Sequence, residues 1–470
     1  MLYIAAEKGN DDIVNLLLSH PEITISKGCF ENCTKLQRIT ITKSFTIIPD
    51  SLFLKCTSLT EVILPSSVTV IEKNAFNGCE SLKSINIPDS VTSIGEYCFY
   101  HCSSLTKIEL PPHLEKIEDC CFQECSITSI EIPPSVKKIG RSAFDDCKIV
   151  KLVIPPTVKK VRRNAFGRCK LSYIDINNNK TKILEGAFSG CVNVTFSDKI
   201  TIIPEKLFND CRNLKSVVIP SSVTSIESNA FRNCIYLENI VIPSSVKSIG
   251  KNAFESCKSL NKIIIPSSVE CIDDCVFYEC KSLSHVSIPD SVYAIGNCAF
   301  SGCSSLNEIE IPKSVVLIGY RAFKSCTSLS KIDIPPGERK INSNTFNGCS
   351  SLVDVTIPRS VVSIGDFSFG CCSSLIKILI PSSVTLIGKK AFYRCTSLKH
   401  LIIPHSVTTI GEKAFDGCSS LIDVDIPSSV LSIGDKAFAK CTSLLKADIP
   451  SSVTSMGDQI FKKCTSLNKI

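Results

Sequence analysis

Cysteine and histidine carry most of the chemical potential of this chain, and their spacing says what that potential is used for. Twenty of the twenty-eight cysteines close an F-x-x-C unit, from Phe30/Cys33 through Phe208/Cys211, and then at a strict interval of 23 residues from Phe208 to Phe461. One thiol per repeat, always flanked by apolar residues, behaves as a small buried hydrophobe in a stack. Zinc would ask for paired ligands such as C-x-x-C, and that spacing is absent. Cys29, Cys98 and Cys121 replace the Ala before Phe and read as interchangeable small core residues. Cys120, Cys275 and Cys298 lie two places before Phe, and Cys371 stands beside Cys372. Strands in neighbouring turns would be about 4.8 Å apart, so Cys275 and Cys298 could bridge adjacent coils, but parallel Cβ vectors make that geometry poor and free thiols are the expectation. The six histidines, His20, His101, His113, His285, His400 and His405, are scattered along the chain. No phosphate-binding glycine loop, nucleophile elbow, H-E-x-x-H or calcium loop accompanies them, so the residues imply no enzyme, no cofactor and no metal.

Charge narrows the partners. Fifty-two basic and forty-five acidic residues leave a net charge of +7. They are interleaved along the chain, which predicts a solvated surface without the clustered basic stripe of a nucleic-acid binder. No apolar run approaches the eighteen residues of a membrane span. Met1 to Asn10 show no basic segment followed by an apolar one, so no secretory signal is expected, and the residues by themselves point to a soluble intracellular chain.

The element that must position everything is a 23-residue unit, most legible as I-P-S-S-V-K-S-I-G-K-N-A-F-E-S-C-K-S-L from Ile242 to Leu260. A fixed period in this range predicts a solenoid, in which no repeat buries its own apolar face and only stacking closes a core. Within each turn L-x-x-I-x-I-P, as in Leu237 to Pro243, reads as a strand with Leu, Ile and Ile inward; Pro ends it, and V-x-x-I makes a second extended piece. Gly250, Gly296 and Gly319 follow that second Ile and suit a tight turn, although Glu72, Glu118 and Glu227 occupy the same slot. The A-F-x-x-C segment has the spacing of a short helical turn on the convex side.

Two segments depart from the rule. Residues 1–22 contain Ala5, Ala6, Ile13, Val14, Leu16, Leu17 and Leu18 in a pattern of two short helices broken at Gly9-Asn10, with Asp11 and Asp12 favouring the second N-terminus and Pro21 ending it. This pair resembles an incomplete ankyrin repeat lacking the T-P-L-H opening, and reads either as a cap on the first coil or as the remnant of a longer array. Between Cys125 and Cys211 the Cys spacings shrink to 22, 22, 22 and 20, and Asn177-Asn178-Asn179 replaces P-x-S. Phe45 to Phe53 is echoed by Ile200 to Phe208, so duplication of a block, or a hinge, accounts for the change. The chain stops within a strand at Leu467 to Ile470, compatible with a truncated product, fraying or an end-to-end self-association.

The pattern L-x-x-I-x-I-P-x-S-V-x-x-I-G-x-x-A-F-x-x-C is similar to the BspA-like leucine-rich repeat family over residues 23–470. That resemblance implies a parallel β-solenoid, here of about twenty turns with a small helical N-terminal cap. It also implies a surface antigen or adhesion protein that binds protein ligands, and thus a cell-surface location, against the cytoplasmic reading of the residues alone. An intracellular interaction scaffold is the alternative.

For the contact surface, the outward strand positions stack into columns. One column reads Val218, Val241, Ile264, Ser287, Glu310, Asp333, Thr356, Leu379, Ile402, Asp425 and Asp448. Apolar side chains at solvent-facing sites either mark an interaction patch or simply favour the sheet. Glu308, Glu310, Asp333 and Asp354 form an acidic neighbourhood near Lys331, where like charges opposite one another should cost stability. Beside it Gly337-Glu338 replaces Ser-Val and places a carboxylate at a core position. The candidate protein-binding residues are therefore Val218, Val241, Ile264, Glu308, Glu310, Asp333, Asp354, Leu379 and Ile402. Sequons at Asn32, Asn179 and Asn193 matter only in an exported chain.

Overall fold

The computed structural model describes residues 1–20, 22–42, 45–176 and 180–468. Pro21, Asn177, Asn178, Asn179, Lys469 and Ile470, and the readings that fall on them, lie outside the described residues. Two compact units divide the chain, Met1–Val223 and Thr224–Ile470.

The first unit opens with two helices, α1 (Leu2–Glu7) and α2 (Asp11–Ser19). Asn10 caps α2 by accepting from the Ile13 N–H at 3.2 Å, with Asp11 and Asp12 in the first turn. Ala6, Val14 and Leu18 are buried between the helices and the first coil, while Ile13 and Leu16 face outward. Asp11 accepts from the Gln37 and Arg38 N–H groups at 3.1 and 2.9 Å, and Asn15 from the Thr40 N–H at 2.8 Å. Side chains of α2 thus take the backbone donors that the edge strand Arg38–Thr40 would otherwise leave bare.

Most turns contribute two short strands, and every strand pairing among the described residues is parallel. In the second unit Lys377–Leu379, His400–Ile402, Asp423–Asp425 and Lys446–Asp448 form one ladder of first strands. Lys340–Ile341 through Ser455–Met456 form a six-membered ladder of second strands. The inward triplet is buried as the pattern dictates: Leu237, Ile240 and Ile242 lie in the core. Pro then starts a reverse turn, its carbonyl accepting from the N–H of the following Val, as Pro266 does from Val269 at 3.0 Å. The Ser before that Val donates to the preceding turn's Val carbonyl, as Ser291 does to Val269 at 2.7 Å and Ser383 to Val361 at 2.6 Å.

The A-F-x-x-C segment is not helical; α1 and α2 are the helices among the described residues. Its N–H groups alternate. Tyr278 and Cys280 donate three residues back, to Cys275 and Phe277, whereas Cys275, Phe277 and Glu279 donate across to Asn297, Ala299 and Ser301 of the next turn. This alternation requires left-handed backbone two residues before and two after Phe, and there Asn252 and Ser256 have φ of 56° and 58°. The glycines read as suiting a tight turn do so without positive φ. Gly250, Gly296 and Gly319 have ordinary φ, and a Cβ on Gly250 would lie 2.6 Å from the Ser228 nitrogen, so glycine there permits close approach of adjacent turns.

Phenylalanine rings stack continuously from Phe30 to Phe188 in the first unit and from Phe231 to Phe461 in the second, with neighbouring centroids such as Phe76–Phe99 at 5.1 Å. Beside them the thiols do more than fill space. Cys280 donates its S–H to the Phe254 carbonyl at 3.1 Å, Cys303 to Phe277 at 3.2 Å and Cys349 to Phe323 at 3.1 Å, and the same bond recurs in the first unit from Cys56 to Phe30 at 3.0 Å. Where Cys spacing contracts, the first strands lengthen to four residues, Lys151–Ile154, Tyr173–Ile176 and Asn193–Phe196, so the residues lost are those of the loop.

Candidate functional site

The outward column emerges as the period demands. Val218 is 62% exposed in the first unit; in the second, Val241 is 81%, Ile264 56%, Leu379 76% and Ile402 71% exposed. Register brings them together in pairs. Asn239 lies opposite Lys262, which sets Val241 beside Ile264, and Leu379 lies directly opposite Ile402.

Between the paired strands Lys331–Asp333 and Asp354–Thr356 the acidic side chains do not oppose one another. Asp333 faces Thr356, whose hydroxyl donates to it at 2.6 Å, and Asp354 faces Lys331. Lys331 also reaches Asp333 at 3.7 Å. Glu308 and Glu310 are exposed in a turn that carries no first strand. A like-charged pair does occur farther along, at Asp425 opposite Asp448, where Lys446 pairs with Asp448.

Glu338 is buried, at the core position read from the sequence. Its Oε2 accepts from the Ile318 N–H at 2.6 Å, and Oε1 accepts from the Arg339 and Lys340 N–H groups at 3.2 and 3.3 Å. Asn342, in the slot usually held by Gly, donates its side-chain amide to the Ile318 carbonyl at 2.7 Å. In the flanking turns a backbone N–H makes that second contact, Gly319 to Ile295 and Gly365 to Ile341, both at 2.8 Å. Two side chains therefore splice the second-strand ladder where Leu317–Ile318 ends one sheet and Lys340–Ile341 begins the next. Burial raises the Glu338 carboxyl above the usual glutamate value, opposed by the three N–H donors, which favour the charged form.

A groove in the first unit escaped the sequence reading. Ile108, Leu110, Ile130, Ile132, Val153 and Tyr173 contribute to its lining, across turns that have lost strand pairing and into the lengthened strands. The contracted Cys spacing was the available signal, because removing loop residues changes how outward side chains are presented.

The charge pattern also needs correction. Interleaving along the chain does not survive stacking: Lys116, Lys138, Lys160 and Lys182 are brought into one column by parallel register.

Histidines do not converge. His101 bonds Glu124 and His400 bonds Asp423, each at 3.1 Å and each with a neighbour one turn away. Among the described residues no three His, Cys, Asp or Glu side chains are placed to hold a metal, and no helix is long and apolar enough to cross a membrane. All twenty-eight cysteines are free and twenty-two of them are buried. Burial, then the adjacent Cys298 thiol, pushes Cys275 up to about 11. Cys271, on the second strand Cys271–Ile272, is exposed. Of the sequons, Asn32 and Asn193 are exposed, and Asn193 accepts from the Ser216 hydroxyl at 2.7 Å.

No curated protein matches the chain. Among solved structures, a leucine-rich repeat protein from Bacteroides ovatus is 27% identical, with 85% of this chain and 81% of that one covered, at a TM-score of 0.37. One from Eubacterium ventriosum is 22% identical, covering 81% and 88%, at 0.34. A leucine-rich cell surface protein from Faecalibacterium prausnitzii is 24% identical, covering 83% of each, at 0.30. The BspA-type leucine-rich repeat region, described as six copies, matches residues 23–151, 115–234, 190–307, 270–399 and 385–470. Matched by that repeat from residue 23 to residue 470, and built of the stacked parallel turns just described, the chain belongs to the BspA-type leucine-rich repeat family.

Proposed function

We propose that this chain is a non-enzymatic, adhesion-type solenoid that engages a protein ligand through the outward side chains of its first strands. The supporting observation is Leu379 opposite Ile402, two large apolar side chains in register and both more than two-thirds exposed. Sheet propensity accounts poorly for leucine, which is not β-branched. Val241 and Ile264 form a second apolar pair, and Glu308, Glu310, Asp333 and Asp354 lie between the pairs in sequence as a polar rim of the kind interfaces use. Val218 offers the same side chain at the end of the first unit. The helix pair, through Asp11 and Asn15, acts in this reading as the cap on the first coil.

The deciding experiment is affinity capture of ligands by wild type, by Val241→Asp with Ile264→Asp, and by Leu379→Asp with Ile402→Asp. Loss of the same partner from either variant while folding is retained is expected; an unchanged partner set rejects this face. A second reading, an intracellular scaffold, rests on the thiols, all free and mostly buried. Protease shaving of intact producer cells separates the two: cleavage alongside known surface proteins supports adhesion, and protection supports the scaffold.

A further inference from the structure

In the first unit the second strands Lys116–Ile117, Lys138–Ile139, Lys160–Val161 and Lys182–Ile183 form one parallel sheet, with Lys116 opposite Lys138, Lys138 opposite Lys160 and Lys160 opposite Lys182. Four like charges therefore stand in file at about 4.8 Å intervals, over about 14 Å. Directly opposed like charges are unfavourable in a sheet. Elsewhere the same position holds mainly neutral residues, such as Ile47, Val70 and Ser93 before the file and Ser225, Ser248, Cys271, Ala294 and Leu317 in the second unit. Folding alone does not ask for lysine here.

The neighbouring carboxylates are engaged elsewhere. Glu115 pairs with Lys137 at 2.6 Å, and its carboxyl is lowered first by that lysine and only lastly by Lys116. Asp119 receives both contacts from Arg162, and Glu185 pairs with Arg163. Among the described residues no carboxylate lies within ion-pair distance of Lys116, Lys138, Lys159, Lys160 or Lys182. Lys138 and Lys160 are half-buried, so their stems lie along the sheet and their ammonium groups extend from it.

We propose that Lys116, Lys138, Lys160 and Lys182 form a docking strip for a linear sulfated polysaccharide. A file of flexible, hydrated ammonium groups with rotatable donors suits sulfates distributed along a chain. An extended acidic peptide fits less well, because its same-face side chains recur at about 6.6 Å, out of step with the strip. Single-stranded nucleic acid would call for aromatic platforms, and the file carries none. Of the three guanidinium groups alongside, which could fork a phosphate, those of Arg162 and Arg163 are already held by Asp119 and Glu185, which leaves Arg141 alone. A membrane surface would require apolar side chains to insert beside the lysines, and the large exposed apolar residues within the span of the file, Val150 and Val153, fall at the first strand Lys151–Ile154 and not on the second strands.

The test uses the full chain and a fluorescein-labelled heparin octasaccharide, read by anisotropy across a salt series. Wild type should bind, with affinity falling steeply as salt rises. Replacing Lys116, Lys138, Lys160 and Lys182 together by Gln should weaken binding by about tenfold or more and flatten the salt slope. An equal loss from Gln at Lys258, Lys313, Lys399 and Lys463 would reduce the effect to net charge and overturn the proposal. So would absence of binding, or undiminished binding to fully desulfated heparin. Preferential binding of duplex DNA of equal charge, of poly-glutamate, or of phosphatidylcholine vesicles containing about 30% phosphatidylserine would replace the polysaccharide with that partner. The thermal midpoint of the strip variant should not fall, since it relieves repulsion; a large fall would show that the lysines serve the fold.

Discussion

A thiol that recurs once per turn is chemically idle because of what surrounds it. In most layers the sulfur lies beside the phenylalanine stack and donates to a carbonyl that also accepts a backbone N–H, as the Phe277 carbonyl does from Cys280 N and Cys303 Sγ. Burial pushes Cys349 and Cys418 up to about 12, so almost no thiolate exists near neutrality. Iodoacetamide at about pH 8 should therefore label the native protein at the exposed Cys271 and at the half-buried Cys29, Cys275, Cys298, Cys371 and Cys464 before any buried thiol. Mass spectrometry should find the other cysteines modified only after unfolding. Rapid native labelling of Cys303 or Cys349 would contradict the stacked core. That these cysteines are core residues was readable from F-x-x-C alone; that most also donate a hydrogen bond was not, because the acceptor belongs to another turn.

At the level of the strand, the Glu338 splice shows how one substitution interrupts a ladder without opening it. The carboxylate accepts the Ile318 N–H and Asn342 serves the Ile318 carbonyl, so both backbone groups remain satisfied across the break. Because burial raises the Glu338 carboxyl, its folded value exceeds its unfolded one. Its contribution is then full below the unfolded value and lost as pH rises through the folded value. Glu338→Gln does not titrate, so the difference in thermal midpoint, wild type minus variant, should shrink between about pH 4 and about pH 7. A difference that grows over this interval would mean that the N–H donors outweigh desolvation. The misfit of Glu338 with the repeat was visible in Gly337-Glu338, whereas its two acceptor roles depend on which turns are adjacent.

For the molecule as a whole, energetics should be those of a stack in which each turn answers only to its neighbours. Deleting residues 386–408 removes one period and joins Thr385 to Thr409 in phase, retaining S-V-x-x-I-G. Circular dichroism and thermal midpoint should change little. Deleting only 386–396 breaks phase, leaves Val and Phe positions opposite the wrong slots, and should lower the midpoint by several degrees, as a lost core side chain worth about 3–5 kcal/mol would. Equal tolerance of both deletions would argue against register as the source of stability.

The 23-residue period, by itself, determined that the chain is a stacked parallel solenoid, that Leu, Ile, Val, Phe and Cys face inward, and that Val241, Ile264, Leu379 and Ile402 face out. Those properties depend on residue spacing within one turn, which a linear sequence displays directly. Tertiary structure alone decided which side chains from different turns meet: the thiol and the preceding phenylalanine carbonyl, Asp354 and Lys331, Glu338 and Ile318, and the four lysines in file. The reason is geometric, since stacking converts a separation of 22 or 23 residues into a contact of about 5 Å, and charges evenly mixed along the chain become concentrated wherever successive turns repeat the same sign.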